Sequence, residues 1–283
     1  MASFLFEPLG PYALMLVTAG LLAICLVFPN LVNRMEGRSR GAASGAADKP
    51  LGGQGAFKLV LTKRYLFLIA FLMVVLNVVN TTGEFILGKT VTEEARRVAA
   101  AARSAPVERA AFEAETAKRV RDFIAGFYGD FFFTVNLTGA LAQLFVVSRV
   151  MKFCGVPAAL FFLPVIALAG YTMIAIAPVL ALVRVAKILE NSTDYSLQNT
   201  ARQALFLPTT REEKYKAKAA IDTFFVRIGD LLSTALVFMS AQLALSVRAL
   251  SAVNIVLIAL WLALAVGIGR NYRALAAQQQ KAA

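Results

Sequence analysis

Four groups of polar and charged side chains recur at helical spacing inside stretches that are otherwise apolar. Asn77, Asn80, Thr81 and Glu84 stand at i, i+3, i+4 and i+7, which puts them in one stripe on a single helix face. Asp130, Thr134 and Thr138 repeat every four residues, with Asn136 and Gln143 close by. Asp222, Arg227, Asp230 and Thr234 make a third group. The fourth is the densest: Arg184, Lys187, Glu190, Asn191, Asp194, Tyr195, Gln198, Asn199 and Arg202. An ionisable group at membrane depth is costly unless it faces a partner or a water-filled cavity. The stripes therefore either line a shared polar cavity or join helices through hydrogen bonds and ion pairs with no ligand. The chemistry they offer is hydrogen bonding and charge neutralisation.

Other chemistries are excluded by residue type. The sequence has no histidine, which removes His-based acid–base catalysis, His metal ligation and His proton relays. No nucleophile–base spacing is visible, so an enzyme is not expected. Cys25 and Cys154 have no partner spacing and indicate neither a disulfide framework nor a zinc site. No cofactor or metal is implied.

The elements that must position the polar groups are membrane helices. Of 283 residues, 59% are hydrophobic, well above the usual share in soluble domains, and the mean hydropathy is +0.67. The apolar residues come in blocks that match the about 20 residues needed to cross a bilayer. The pattern predicts an all-α integral membrane protein with about seven spans. They run from Pro11 to Val32, Tyr65 to Gly88 and Tyr128 to Met151, then two from the stretch Phe153 to Val183 and beyond, then Ala219 to Leu245 and Ser251 to Ile268. The long stretch is expected to turn near Ala169-Gly170-Tyr171. The fifth helix is expected to continue into polar sequence and end at Pro208.

The net charge of +12 is spent on topology rather than on nucleic acid, because Lys and Arg gather between the apolar blocks and no nucleic-acid fold signature is present. Every second connection is basic: Arg34 to Arg64, Arg149 with Lys152, Arg211 to Lys218, and Arg270 to Lys281. By the positive-inside rule the N-terminus is outside and the C-terminus cytoplasmic, in a multi-pass bacterial inner-membrane protein. The segment 36–55, rich in Gly, Ala and Ser, reads as a flexible linker. The segment 90–126 reads as a helical pair on the outer face, restarting at Ser104-Ala105-Pro106. The basic run Arg211 to Lys218 either anchors the membrane face to anionic headgroups or guards a cytoplasmic mouth and attracts an anionic solute.

Gly83 to Thr90 satisfies G-x-x-x-x-G-K-[ST]. It lies at the end of a membrane helix with bulky apolar residues between its glycines, so the strand–loop–helix that cradles phosphate is not expected. Lys89 remains of interest by itself. The sequons at Asn80, Asn136 and Asn191 fall in or near membrane helices and carry no glycosylation message.

Three segments carry a resemblance. Tyr195-Ser196-Leu197, Arg202, Pro208 and above all Lys214-Tyr215-Lys216-Ala217-Lys218-Ala219-Ala220-Ile221-Asp222 resemble the ATP/ADP translocase family of plastids and intracellular bacteria. Phe127-Tyr128-Gly129-Asp130-Phe131 is similar to its F-x-G-D-F segment, and Asn77 to Lys89 to its seventh helix. The resemblance runs from about Tyr65 to Arg270 and implies a major facilitator-like C-terminal half.

On that mapping residues 1–32 are the family's sixth helix, 33–64 the central linker, 65–270 the six-helix half and 271–283 a cytoplasmic tail. An N-terminal six-helix half is the implied partner, beside the lipid bilayer. The implied activity is exchange of nucleotides such as ATP and ADP, or a related anion, between two halves that rock about a midplane site. Glu84, Lys89, Arg202, Lys214, Lys216 and Lys218 are the candidates by resemblance. Asn77, Asn80, Asp130, Arg184, Lys187, Asp194, Asp222 and Arg227 join them from the stripes. Asp194 departs from the family, which commonly places a basic residue before Tyr-Ser-Leu; its carboxylate needs Arg184 or Lys187 as counter-ion. Two other functions fit the same residues: a proton-coupled facilitator of another solute, and a membrane scaffold that transports nothing.

Overall fold

A computed structural model of the chain describes residues 13, 15–25, 27–28, 55–101 and 109–282. Most of the expected linker and the restart at Ser104-Ala105-Pro106 lie outside the described residues. The chain divides into two compact units, 1–53 and 54–283. The first contributes one described apolar helix, α1 (Met15–Cys25), where the first span is expected.

In the second unit every described element is helical. They are α2 (Ala56–Thr62), α3 (Arg64–Ala101), α4 (Arg109–Ala142), α5 (Ser148–Phe153), α6 (Gly155–Ala159), α7 (Phe162–Ile176), α8 (Leu180–Thr193), α9 (Asn199–Ala204), α10 (Lys218–Ala220), α11 (Val226–Gln242) and α12 (Val247–Ala282). Single π-turns join several of them without a break: Gln143–Val147 between α4 and α5, Asp194–Gln198 between α8 and α9, and Glu213–Ala217 and Ile221–Phe225 around α10. Among the described residues, five helices are long and apolar enough to cross a membrane: Arg64–Ala101, Glu113–Phe153, Gly155–Ile176, Glu213–Gln242 and Val247–Lys281. The chain is an all-α integral membrane protein. The α8–α9 segment falls outside that group because its second half is polar, as its sequence requires.

α3 is the hub, packing against α4, α8, α11 and α12, while α7 packs on α8 and α12. α3 carries apolar residues on most of its circumference and a polar stripe that lipid cannot solvate, so it belongs in the interior; 67% of its apolar window is buried, against 22% for Glu113–Phe153 and 17% for Glu213–Gln242. Those two turn residues such as Phe133, Leu144, Leu231 and Phe238 outward, where lipid is their natural solvent.

Three expectations are corrected. α7 runs straight through Ala169-Gly170-Tyr171, and the chain turns later, at Ala177 to Val179. Pro178 has no N–H to continue the helix and holds the preceding residue extended, as Ala177 is at φ −133° and ψ 92°. Gly170 serves packing instead, since a Cβ there would sit 3.0 Å from Ala186 Cβ. Second, the described parts of the outer pair are extensions of α3 and α4 rather than separate elements. Third, the lysine run Lys214 to Lys218 lies within the helix Glu213–Gln242, not in a loop before it, and α12 continues through the expected tail.

The two ends of the bundle are closed differently. At the basic end, Lys63 pairs with Glu213, and Tyr65 Oη donates to Leu205 O at 2.7 Å. Phe57 of α2 meets Phe224 edge-on at 4.8 Å. Thr210 and Glu213 cap the helix reciprocally, through Thr210 N to Glu213 Oε2 at 2.8 Å and Glu213 N to Thr210 Oγ1 at 3.4 Å. At the opposite end Lys89 Nζ donates to Leu245 O at 2.8 Å, holding the tight α11–α12 turn in which Ala244 takes φ 47°.

α3 and α11 approach closely at Gly229, where a Cβ would lie 2.9 Å from Asn77 Cβ and 3.2 Å from Val74 O. Gly229→Ala is expected to destabilise the bundle by about 1–3 kcal/mol through overpacking. Thermal unfolding in detergent micelles checks this, and an unchanged midpoint would contradict the packing described.

Candidate functional site: a buried lysine between two carboxylates

α8 enters the bundle amphipathic and cannot present its polar residues to lipid. Packing against α3 and α7 solves that problem, and it puts Lys187 at the meeting point of the three helices with 0% of its side chain exposed. Its ammonium has three N–H donors, and three acceptors surround it: Asn80 Oδ1 at 3.1 Å, Glu190 Oε1 at 3.2 Å and Glu84 Oε1 at 3.3 Å. Lys187 is therefore saturated.

The acceptors are held in turn. Tyr171 Oη of α7 donates to Glu190 Oε2 at 3.0 Å, and Asn191 Nδ2 donates to Glu84 Oε1 at 2.8 Å. Glu190 follows Lys187 by one helical turn and is 5% exposed, whereas Glu84 on α3 is 38% exposed. Space for this arrangement depends on Gly83, because a Cβ there would lie 1.9 Å from Tyr171 Oη and 2.9 Å from Lys187 Nζ. Asn254 of α12, also buried, donates to Val79 O at 3.2 Å one turn away.

Other candidates lie further along the same segment and at the α3–α11 contact. Asp194 begins the π-turn that follows α8 and faces Arg202 and Lys187 electrostatically. Arg202 donates to Asn199 Oδ1 at 3.1 Å and rests against Met73 Sδ at 3.9 Å. Asn77 donates to Asp230 Oδ1 at 2.7 Å and to Val226 O at 2.9 Å, tying α3 to α11. Arg227 pairs with Asp230 Oδ2 at 2.9 Å on an exposed face.

The structure does not bring the remaining candidates into this cluster. Arg184 stacks over the Phe127 ring at 5.5 Å, in a groove with Glu94 and Asp122 at the opposite end; it is not the counter-ion of Asp194. Lys89 is engaged with the α11–α12 turn. Asp130 and Asp222 are exposed. Lys214, Lys216 and Lys218 stand at the basic end on a helix whose Ala217, Ala220 and Ile221 are buried, and Lys216 pairs with Glu212 Oε1 at 3.0 Å.

The residues that sequence reasoning left unassigned are Tyr171, Glu190 and Asn191, together with Gly83. Glu190 and Asn191 carried a signal, since i+3 and i+4 from Lys187 share its helix face. Tyr171 carried none. The G-x-x-x-x-G-K-T string is helical throughout, and its first glycine makes room for a tyrosine rather than a phosphate. Among the described residues no group of three or more His, Cys, Asp or Glu could hold a metal ion.

Fold and site together define a multi-pass helical membrane protein built around an intramembrane charge network. Comparison with known proteins shows what the chain is similar to. Residues 138–272 match the family model of the TLC ATP/ADP transporter. The chain is also 27% identical over 181 residues to ADP,ATP carrier protein 1 of Chlamydia pneumoniae, a match covering 55% of this chain and 35% of that protein. The matched stretch thus spans about a third of its relative's length. No solved structure matches the chain. The segment matched to that family model contains Tyr195 to Asp222 and extends through α7, α8, α11 and most of α12.

Two substitutions test the cluster as a structural unit. Lys187→Met leaves buried Glu190 without its counter-ion and is expected to cost about 3–5 kcal/mol. Gly83→Ala is expected to lower the unfolding midpoint by displacing Tyr171 or Lys187. Equal stability of either variant to the unmodified chain, measured by chemical unfolding in micelles, would contradict the cluster.

Proposed function

We propose that the chain is the C-terminal six-helix part of a nucleotide transporter that exchanges ATP and ADP, or a closely related organic anion, by alternating access. The observation that carries this reading is the buried Lys187 cluster, whose Lys187, Glu190 and Asn191 lie in the segment matched to the TLC ATP/ADP transporter family. A buried cation at the crossing of three membrane helices is expensive to keep, and a phosphate-bearing solute gives it a use.

In this reading Lys187 meets phosphate oxygens, Arg202 of α9 serves the same solute further along the segment, and Asn80, Asn191 and the Asn77 stripe supply hydrogen bonds. Lys214, Lys216 and Lys218 attract the anion at the cytoplasmic mouth, the basic end being inside by the positive-inside rule. Asp130 and Arg227 support a partner half. Both are exposed charged residues on helices long enough to cross the membrane, Arg227 in a pair with Asp230, and charge against lipid is costly. An N-terminal six-helix half facing them, with solvent between, removes that cost. Residues 1–32, 33–64, 65–270 and 271–283 then serve as connecting helix, linker, transporter half and tail, in an inner membrane with the N-terminus outside.

A second reading, proton coupling, is favoured by the excess of carboxylates, since Glu84, Glu190 and Asp194 face Lys187 and Arg202. Counter-exchange in liposomes separates the two. The chain, reconstituted together with its N-terminal half, is expected to take up labelled ATP only against internal ADP, without dependence on a pH gradient. Lys187→Gln is expected to reduce that uptake at least about tenfold, the effect of one lost charge-assisted contact. Absence of counter-exchange for every nucleotide tested overturns the proposal, and uptake driven by a pH gradient alone selects the second reading.

A further inference from the structure

Two donors converge on one oxygen. Lys187 Nζ lies 3.3 Å and Asn191 Nδ2 2.8 Å from the same Glu84 Oε1. An anion reaching Lys187 finds its three N–H groups already used, by Asn80, Glu84 and Glu190. It can bind only by replacing one acceptor.

The three acceptors are not equivalent. Glu190 shares a helix with Lys187, is 5% exposed and is fixed through its second oxygen by Tyr171 Oη. Asn80 is neutral, so its loss relieves no competing charge. Glu84 stands on a different helix, is 38% exposed and makes the longest of the three contacts. It is the acceptor that can swing away without leaving buried charge behind, and its departure frees both donors together. Asn191 Oδ1, buried and without a partner in the cluster, remains as an acceptor beside them.

We infer that the Glu84 carboxylate is an internal stand-in for a phosphate group: it occupies the anion position between Lys187 and Asn191 until a phosphate displaces it, while Glu190 and Tyr171 are positioning residues that keep Lys187 in place. The inference rests on the nucleotide reading and adds a mechanism to it. In the empty site the cation is neutralised, and binding exchanges one anion for another rather than uncovering a bare charge. Removing the charge of Glu84 must then strengthen anion binding at the same site where removing Lys187 abolishes it.

The test is titration of the full purified chain in detergent micelles with ADP, with pyrophosphate, and with adenosine as the uncharged comparison. Glu84→Gln is expected to bind ADP and pyrophosphate about tenfold more tightly than the unmodified chain, within the usual range of coupling between competing groups, with adenosine unchanged. Glu84→Asp, which shortens the carboxylate but keeps its charge, is expected to change affinity in the same direction by less, and it serves if the Gln variant does not fold. Glu190→Gln is expected to lower the unfolding midpoint without tightening ADP. If the unmodified chain binds ADP while Glu84→Gln and Glu84→Asp bind it equally or more weakly, the inference is overturned and the nucleotide reading stands. If the unmodified chain binds neither ADP nor pyrophosphate, both fall together.

Discussion

The desolvated ammonium of Lys187 is the constraint around which this bundle is organised. Taking an ion of that size out of water costs several kcal/mol even after relaxation, and the cost is offset only when every donor finds an acceptor with good geometry. Here three acceptors match three donors. Asn80 and Glu84 fix α3 against α8 through Lys187, and Glu190, on the same helix as Lys187, ties α8 to α7 by accepting from Tyr171. Gly83 and Gly170 are consequences of the same requirement, since they let α7 come close enough to α3 and α8 for the network to close.

That arrangement separates two tasks along the chain. The apolar faces of α3, α7 and α12 supply the packing that keeps the bundle together. The continuous α8–α9 segment, with its π-turn at Asp194–Gln198 directly after the cluster, carries the polar groups. π-turns of this kind recur at functional sites, because the extra residue re-aims the side chains that follow. In this chain the turn ends on Gln198 and Arg202 comes one turn later, and both keep buried polar atoms without partners. The basic end, by contrast, is closed by ordinary devices: a reciprocal helix cap, the Lys63–Glu213 pair and an aromatic contact.

The helical membrane class was legible because it depends on composition and block length alone, and the stripe on α3 was legible because periodicity places Asn77, Asn80, Thr81 and Glu84 on one face. Lys187 was visible as an anomalous charge. Its partners were harder to see, since a contact between α3 and α8 spans about a hundred residues of sequence and leaves no local pattern. Tyr171 was misread for an instructive reason: an Ala-Gly-Tyr triplet in an overlong apolar stretch has the composition of a turn, and only the neighbouring helix reveals the glycine as a packing site. Pro178, a few residues on, held the true turn signal. The lysine string lies in the segment matched to the TLC ATP/ADP transporter model, but its helical setting was hidden by the charge density that makes such runs resemble loops.

The central claim is that phosphate meets this protein at Lys187. A structure of the reconstituted protein with ADP bound tests it most directly. The account predicts a phosphate oxygen within hydrogen-bond distance of both Lys187 Nζ and Asn191 Nδ2, with the Glu84 side chain turned away. Phosphate held only at the helix bearing Lys214 to Lys218, with the Lys187–Glu84 pair intact, would contradict it.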